Sequence, residues 1–400
     1  MSKLEELIQK YCPDGVEWKT FFDVCDLIRG ITYNKEQEAK SQTEDAHKVL
    51  RANNITLHLN ALNFEDVKLV SKDVVVKPSQ HLYAGDILMC AGSGSKEHVG
   101  KVAFISEDMD YTFGGFMAVV RCKESILPRF IYHILTSGYF SNHLDVQINS
   151  STINNINKQV MQSFAFPVPP LPVQEEIVKI LDAFSSYTAE IDAELEARKK
   201  QYEYYRDNLL SFNKLNRGGQ IVKWKKLGEI CKVLRGKRLT KSQLSEDGTY
   251  KVFHGGIDPI GYYDEFNREG ETTMVINVGA SAGTLGFSKE KFWSSDGCFC
   301  LSQTPILSGR FVYFYLQTKE SYLMSRVRRA GIPTLDGKVL EDMDFPILPL
   351  HEQQKIVDIL DRFDILTNDL TAGLPAEIEK RRRQYEYYRD KLLTFKRKES

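Results

Sequence analysis

The sequence has no apolar run near the ~20 residues that a membrane-crossing helix needs. It has no excess of either charge, since 53 Lys and Arg face 54 Asp and Glu for a formal net charge of -1. That balance excludes a chain that binds polyanions through bulk charge alone, although local basic patches can still do so. The seven cysteines (Cys12, Cys25, Cys90, Cys122, Cys231, Cys298, Cys300) are odd in number, scattered and free of any CxxC pair. Neither a disulfide framework nor a zinc site is expected from them, only reduced thiols packed in cores. The opening MSKLEELIQKYC is charged and amphipathic, unlike a signal peptide, so a cytoplasmic chain without a membrane partner is expected.

Catalytic motifs are also missing. Pro167-Val-Pro-Pro-Leu171 lacks the polar residue of an Asn/Asp-Pro-Pro-aromatic methyltransferase motif, and no Pro-Cys occurs. GSKEHVGKV (Gly94–Val102) has one residue too many for a Walker loop, with valine where a magnesium-binding hydroxyl belongs. Pro13-Asp14 and Glu17-x-Lys19 lie too close together to sit on two strands of a nuclease core. The eight histidines share no spacing with cysteines or acids, and there is no Gly-x-Ser-x-Gly. A non-catalytic chain is expected.

What the sequence does have is a long internal repeat. QYEYYRDNLLSF (Gln201–Phe212) and QYEYYRDKLLTF (Gln384–Phe395) agree at ten of twelve positions. FPVPPLPVQEEIVKILDAF (Phe166–Phe184) aligns without a gap to FPILPLHEQQKIVDILDRF (Phe345–Phe363). VEWKTFFDVCDLIRG (Val16–Gly30) matches VKWKKLGEICKVLRG (Val222–Gly236), and RFIYHIL (Arg129–Leu135) matches RFVYFYL (Arg310–Leu316). At ~150 residues per domain, 400 residues suggest two or three domains. The repeat makes them two copies of a globule followed by a long helix, with expected boundaries at 1–168, 169–215, 216–347 and 348–400.

The helices follow from periodicity. In the first, Ile177, Leu181, Phe184, Thr188, Ile191, Leu195, Arg198, Tyr202, Tyr205 and Leu209 step by threes and fours, the heptad seam of a coiled coil. Ile356, Leu360, Phe363, Leu370, Leu374, Ile378, Tyr385, Tyr388 and Leu392 form the second seam. Four extra residues there make a stutter, and Gly373-Leu374-Pro375 predicts a kink or short break. Each helix would have about 42 residues, ~63 Å if unbroken. Neither can bury its stripe alone, so an antiparallel pair with pseudo-two-fold symmetry is expected, with each helix folding back on its own globule as the alternative.

The globules read as mixed α+β. Strands are expected at Val67–Val70, Val74–Val76, Asp86–Met89, Val102–Ile105 and Met117–Val120, and at Met274–Val278, Leu285–Phe287 and Cys298–Leu301. Helices are expected at Arg129–Tyr139 and Arg310–Thr318. Glycine-rich loops follow two of the strands, Cys90-Ala-Gly-Ser-Gly-Ser-Lys96 and Gly279-Ala-Ser-Ala-Gly283, and either permit close ligand approach or simply turn the chain. Eight basic residues crowd Lys223–Lys241 against one acid, Glu229, and Arg326, Arg328 and Arg329 form a second cluster. Arginine reads guanine edges and Asn or Gln reads adenine edges, so these patterns point to DNA, although a solvated charged face is the plain alternative. The candidates are Arg51, Asn53, Asn54, Ser93, Ser95, Lys96, Asn154 and Lys158 in copy one. Copy two supplies Lys237, Arg238, His254, Asn277, Ser281, Arg326, Arg328 and Arg329.

The duplicated globule and helix, the PPLxxQ and PLHEQ lead-ins and the twin QYEYYRD-x-LL-x-F ends resemble the specificity subunit of Type I restriction-modification systems. The resemblance covers essentially the whole chain, with Val173-Gln174 departing from the Glu-Gln that Glu352-Gln353 preserves. It implies two target recognition domains, each reading half of a bipartite, asymmetric DNA sequence, spaced by the paired helices. It implies partners as well: double-stranded DNA, two methyltransferase subunits docked on the helices and two motor-nuclease subunits. S-adenosylmethionine, ATP and magnesium would then sit on those partners and none on this chain. The helix positions implicated in docking are Gln174, Tyr204, Arg206, Gln353, Tyr387 and Arg389. Two competing readings are a coiled-coil scaffold with protein-binding globules and an enzyme with an unrecognised site.

Overall fold

The computed structural model describes residues 2–39, 46–56, 60–148, 155–212, 222–369 and 371–399. It divides into two compact units, Met1–Glu190 with Ile378–Ser400, and Ile191–Glu377. The division runs through the long helices rather than between globule and helix, where the sequence had suggested boundaries.

The first unit holds two four-stranded sheets. One has the order Cys25–Arg29, Met117–Cys122, Ile87–Cys90, Val102–Phe104, antiparallel throughout. The other has the order Lys68–Ser71, Ala46–Leu50, Met109–Phe113, His81–Leu82, with its two central strands parallel. Ile87–Cys90 is buried along its whole length because side chains alternate between two cores. Ile87 and Met89 face the helices, and Leu88 and Cys90 face the second sheet. Val74–Val76, expected as a strand, is a bend leading into extended chain, and the expected helix Arg129–Tyr139 is two helices, Pro128–Leu135 and Gly138–Ile148.

The second unit repeats this plan. Its sheets run Val233–Arg235, Cys298–Leu301, Thr272–Ile276, Leu285–Ser288 and Pro259–Tyr263, Tyr250–Phe253, Phe292–Ser294, the last two strands being parallel. A two-stranded ribbon closes each globule, Glu17–Thr20 on Ala165–Val168 and Lys223–Lys226 on Asp344–Ile347. The ribbons pair Trp18 with Pro167 and Trp224 with Pro346, so segments that repeat in sequence repeat because they bond to each other. All seven cysteines are free thiols, six of them buried.

Helix one is continuous from Leu171 to Leu210. Helix two is two helices, Leu350–Asn368 and Leu374–Leu392, interrupted where Gly373 and Pro375 led us to expect it. The Gly373 N–H donates to the Asp369 carbonyl, and a Cβ at Gly373 would lie 2.3 Å from the Ile365 oxygen. Pro375 falls in the first turn of the new helix, where its missing N–H costs nothing. Within the first unit the helices run antiparallel: Phe184 stacks on Tyr388 at 5.6 Å, and Tyr187, further along, meets Arg381, further back.

Each unit fixes its helices with the same devices. Gln174 is 1% exposed; its Oε1 accepts from Leu127 N–H (3.0 Å) and its amide donates to Pro169 O (2.7 Å). Gln353, 0% exposed, accepts from Ser308 N–H (2.9 Å) and donates to Leu348 O (2.8 Å). Arg129 donates to Asp182 (2.8 Å), and Arg310 to Asp361 (2.6 Å) and Asp364. Burial works against the Arg310 charge, but hydrogen bonds and attraction from the two carboxylates outweigh it and raise its pKa.

The QYEYYRD ends then dock on the globule of their own unit. Tyr202 O–H donates to Gln317 (2.8 Å) in the second unit. In the first, Asp182 can only accept, so His133 Nε2 carries the proton (2.9 Å) and Nδ1 accepts from Tyr385 O–H (3.0 Å). Desolvation lowers the His133 pKa despite the opposing hydrogen bond to Asp182.

Gln174→Leu strands Leu127 N–H and Pro169 O, and Gln353→Leu strands Ser308 N–H with the Leu348 and Ile306 carbonyls, at a cost of about 1–3 kcal/mol per group, so both should lower the urea midpoint. Burial holds the folded His133 below the ~6.5 at which an unfolded histidine titrates. The unfolded state therefore binds more protons between the lowered folded value and ~6.5, and the first unit should lose stability as pH falls through that window. Urea titrations at several pH values, reported by Trp18 fluorescence in a W224F/W293F background, should show this slope flattened in His133→Gln.

Candidate nucleic-acid interface

Strand register superposes the two globules residue by residue. Cys90 faces Met117 in the first and Ile276 faces Cys298 in the second, while Leu50 faces Phe113 and Phe253 faces Ser294. Arg29 pairs with Ala118, and Arg235 with Phe299. The loops leaving these strands are therefore equivalent: 30–33 with 236–239, 51–54 with 254–257, 91–95 with 277–281, and 114–116 with 295–297. Gly30 and Gly236 make the same close approach, where a Cβ would lie 2.2 Å from Phe113 O and 2.3 Å from the equivalent Ser294 O. The frame is common, and the side chains on its loops differ.

In the first unit these loops enclose a cleft of ≈ 1190 Å³. It gathers Arg51, Asn53 and Ser93 from the sequence candidates and adds Tyr33, Lys101 and Phe116. Arg51 pairs with Asp66 (2.7 Å), which also accepts from Asn53 (3.0 Å). Lys101 donates to Ile55 O (2.7 Å), and burial lowers its pKa. Phe116 is 76% exposed on a loop begun by Gly114-Gly115 and lies over Gly92, where a Cβ would come within 3.3 Å of its ring. The Gly-Gly-Phe before the strand Met117–Cys122 was the sequence signal for this residue.

Other candidates fall elsewhere. Asn54 is fully buried, accepting from Arg51 N–H (2.8 Å) and donating to Asn63 O (3.1 Å) and Asp66 O (3.2 Å), so it shapes the Arg51 loop and does not reach a ligand. Ser95 bonds Glu97, Lys96 pairs with Asp145 (3.1 Å) beside the cleft, and Lys158 lies over Phe22. Asn154 lies outside the described residues.

In the second unit the equivalent loops close up. Gly297 occupies the position of Phe116, and a Cβ there would lie 2.5 Å from Gly255 N and 2.7 Å from His254 Nδ1. The His254 loop fills the space that is open in the first unit, with Nδ1 3.4 Å from Asp296. Asn277, 3% exposed, binds Gly297 O and Leu335 N–H through its backbone and is an interior residue, not an edge reader. Ser281 accepts from Thr284 in the turn closing that loop. Residues Arg328 and Thr334 pair with each other, Thr334 bridges Val278, and Gly279 N–H donates to Pro333 O, joining the 328–334 loop to the cluster. Lys237, Arg238, Arg328 and Arg329 are exposed, and their side chains make no ion pair among the described residues. Arg326 stands apart, over Tyr322.

The helix candidates separate by exposure. Tyr204 and Tyr387 are 65% and 62% exposed at equivalent positions. Arg206 and Arg389 lie mostly buried against Tyr202 and Tyr385, each paired with the adjacent Asp207 or Asp390 at 2.9 Å. Gln174 and Gln353, expected at a partner surface, are interior pins, because every polar contact they make is satisfied within the unit. Among the described residues there is no cluster of three or more His, Cys, Asp or Glu suited to a metal, and no helix is long and apolar enough to cross a membrane.

A duplicated two-sheet frame that carries divergent polar and basic loops defines a macromolecular recognition protein. Residues 13–198 and 221–380 match the model of the type I restriction modification DNA specificity domain, and the chain belongs to that family. It is 30% identical over 422 residues to a protein of Haemophilus influenzae named as a type I restriction enzyme specificity subunit, covering 98% of each chain. Its fold is similar to the crystal structure of the type I S subunit from M. genitalium, with TM-score 0.59, 18% identity and 95% and 96% of the chains covered. A second structure, from work on complex assembly and conformational transition of the type I system, gives TM-score 0.57 at 18% identity, covering 95% and 98%. The chain is thus a DNA-specificity component of a restriction-modification system and not its catalytic part.

Overpacking the closed cluster should cost stability where exposing the open one does not. Gly297→Ala should destabilise the second unit by about 1–3 kcal/mol, whereas Phe116→Ala should stay within about 0.5 kcal/mol of the parent in denaturant titrations.

Proposed function

We propose that each unit reads one half of a bipartite, asymmetric double-stranded DNA target, and that the helices space the halves and dock methyltransferase subunits. The observation that carries this reading is the register-matched pair of loop clusters. One frame presents two different sets of side chains, which suits two different half-sites. Two such readers on one duplex face need half-sites about one helical turn apart, ~34 Å. The balanced charge suits a reader whose affinity is shared across an assembly. Tyr204 and Tyr387 suit docking, being exposed aromatics beside anchored Tyr205 and Tyr388, at ring distances of 5.5 and 5.3 Å. Restriction-translocase subunits would join the same complex. S-adenosylmethionine, ATP and magnesium would bind to those partners, in the cytoplasm.

Replacing residues 237–335 with the matching segment of another specificity subunit should change one half of the methylated target and leave the other intact. Sequencing of methylated bases reads this directly, and a change in both halves would contradict the two-reader model. Tyr204→Ala with Tyr387→Ala should weaken co-purification of the methyltransferase subunit without shifting the melting temperature. Normal assembly would return these residues to plain surface. Retention of partners with no sequence-dependent DNA binding would favour a protein-binding scaffold.

A further inference from the structure

The register match exposes an asymmetry between the two loop clusters. At the place where the first unit has Phe116, the second has Gly297 beneath His254. The cations differ as much. The first cleft offers Arg51 and Lys101, one paired with Asp66 and the other held by the Ile55 carbonyl. The second cluster carries Lys237, Arg238, Arg328 and Arg329, all exposed and without an ion pair among the described residues.

We infer that the two loop clusters bind DNA by different physics, Phe116 reading the first half-site through apolar contact with a base edge and the four exposed cations anchoring the second unit to backbone phosphates, which adds affinity without sequence choice. This rests on the proposed function, since it presumes that both clusters meet DNA.

The argument begins with counterions. A cation that neutralises a phosphate releases a condensed ion, which lowers the slope of log affinity against log salt by about 0.9 per contact in duplex DNA. A cation already paired with a carboxylate has less to release. Lys237, Arg238, Arg328 and Arg329 are therefore placed to dominate the salt dependence, and Arg51 and Lys101 are not. Phe116 has the opposite character. It carries no charge, and its ring stands exposed on a glycine loop at the mouth of a cleft that also holds Asn53 and Ser93. An exposed aromatic in such a place suits the thymine C5-methyl, the one apolar group that the major groove displays. Gly92 beneath it leaves room for the ring to lie across the loop, and the open Gly94 adds no side chain that would block approach.

The test uses the complete chain with its methyltransferase partner on the target defined by methylation sequencing, with salt varied between 50 and 200 mM. Arg328→Ala with Arg329→Ala should reduce the salt slope by nearly two and weaken target and random DNA alike. Phe116→Ala should weaken target binding roughly tenfold or more, leave the slope unchanged and leave random DNA unaffected. Its loss should fall on one half-site. There, replacing thymine by uracil should weaken the parent protein and make no difference to the variant. Phe116→Leu, which keeps an apolar group, should recover part of the affinity.

A reduced slope in Phe116→Ala, or unchanged target affinity, would overturn the assignment of Phe116. An unchanged slope in the arginine variant would overturn the assignment of the second unit. A parent complex without a preferred target would instead remove the reading on which both rest.

Discussion

Each globule depends on a clasp between its own helices and the end of a helix that belongs, in sequence, to the other repeat. In the first unit Phe184 stacks on Tyr388 while Tyr385 reaches His133. In the second, Phe363 stacks on Tyr205 while Tyr202 reaches Gln317. The three tyrosines of QYEYY thus divide their tasks in the same way twice. One is buried with its hydroxyl bonded, one stacks along the helix pair, and one stays exposed. Aromatic pairs contribute about 0.5–1.5 kcal/mol beyond their area, and the buried hydroxyls need partners that only the docked geometry supplies. This constraint explains why the motif repeats almost unchanged while the middle of each globule does not.

The same logic separates frame from loops. Strands such as Ile87–Cys90 and Thr272–Ile276 are buried on both faces, so each position answers to one core or the other. Register fixes which residue faces which core, since a shift of one would exchange the faces. The loops answer to neither core. Phe116 and Gly297 occupy one place in the frame with opposite consequences, an open cleft in one unit and a closed loop in the other.

Much of this was legible in the residues. The helices, the interruption at Gly373, the duplicated plan and the strand Cys298–Leu301 follow from periodicity and self-similarity. What escaped was long-range. The ribbon strands Glu17–Thr20 and Ala165–Val168 lie far apart in the chain, and only their repetition marked them. The twin glutamines, read as partner contacts, are interior because each satisfies backbone groups that a helix start leaves unpaired. Asn54 was misread for a similar reason, since an amide that caps a turn looks in sequence like one that reads a base. Phe116 was overlooked because a lone aromatic after two glycines resembles core until its exposure is known.

The net charge of -1 now has a structural meaning. Charge acts on DNA through the cations that are free to exchange counterions, not through a sum over the chain. Arg310 and Arg129 are committed to helix carboxylates, Arg206 and Arg389 to their neighbouring aspartates, and Arg51 to Asp66. Lys237, Arg238, Arg328 and Arg329 carry no such pair among the described residues, and the loops that hold them form one cluster, so their charge is available to phosphates. An Arg51 that must give up Asp66 to meet a base exchanges one charge-assisted hydrogen bond for another, so its net contribution to affinity is small, yet a base unable to replace Asp66 leaves it worse off. Pairing within the free protein thereby turns a cation from a source of affinity into a source of discrimination.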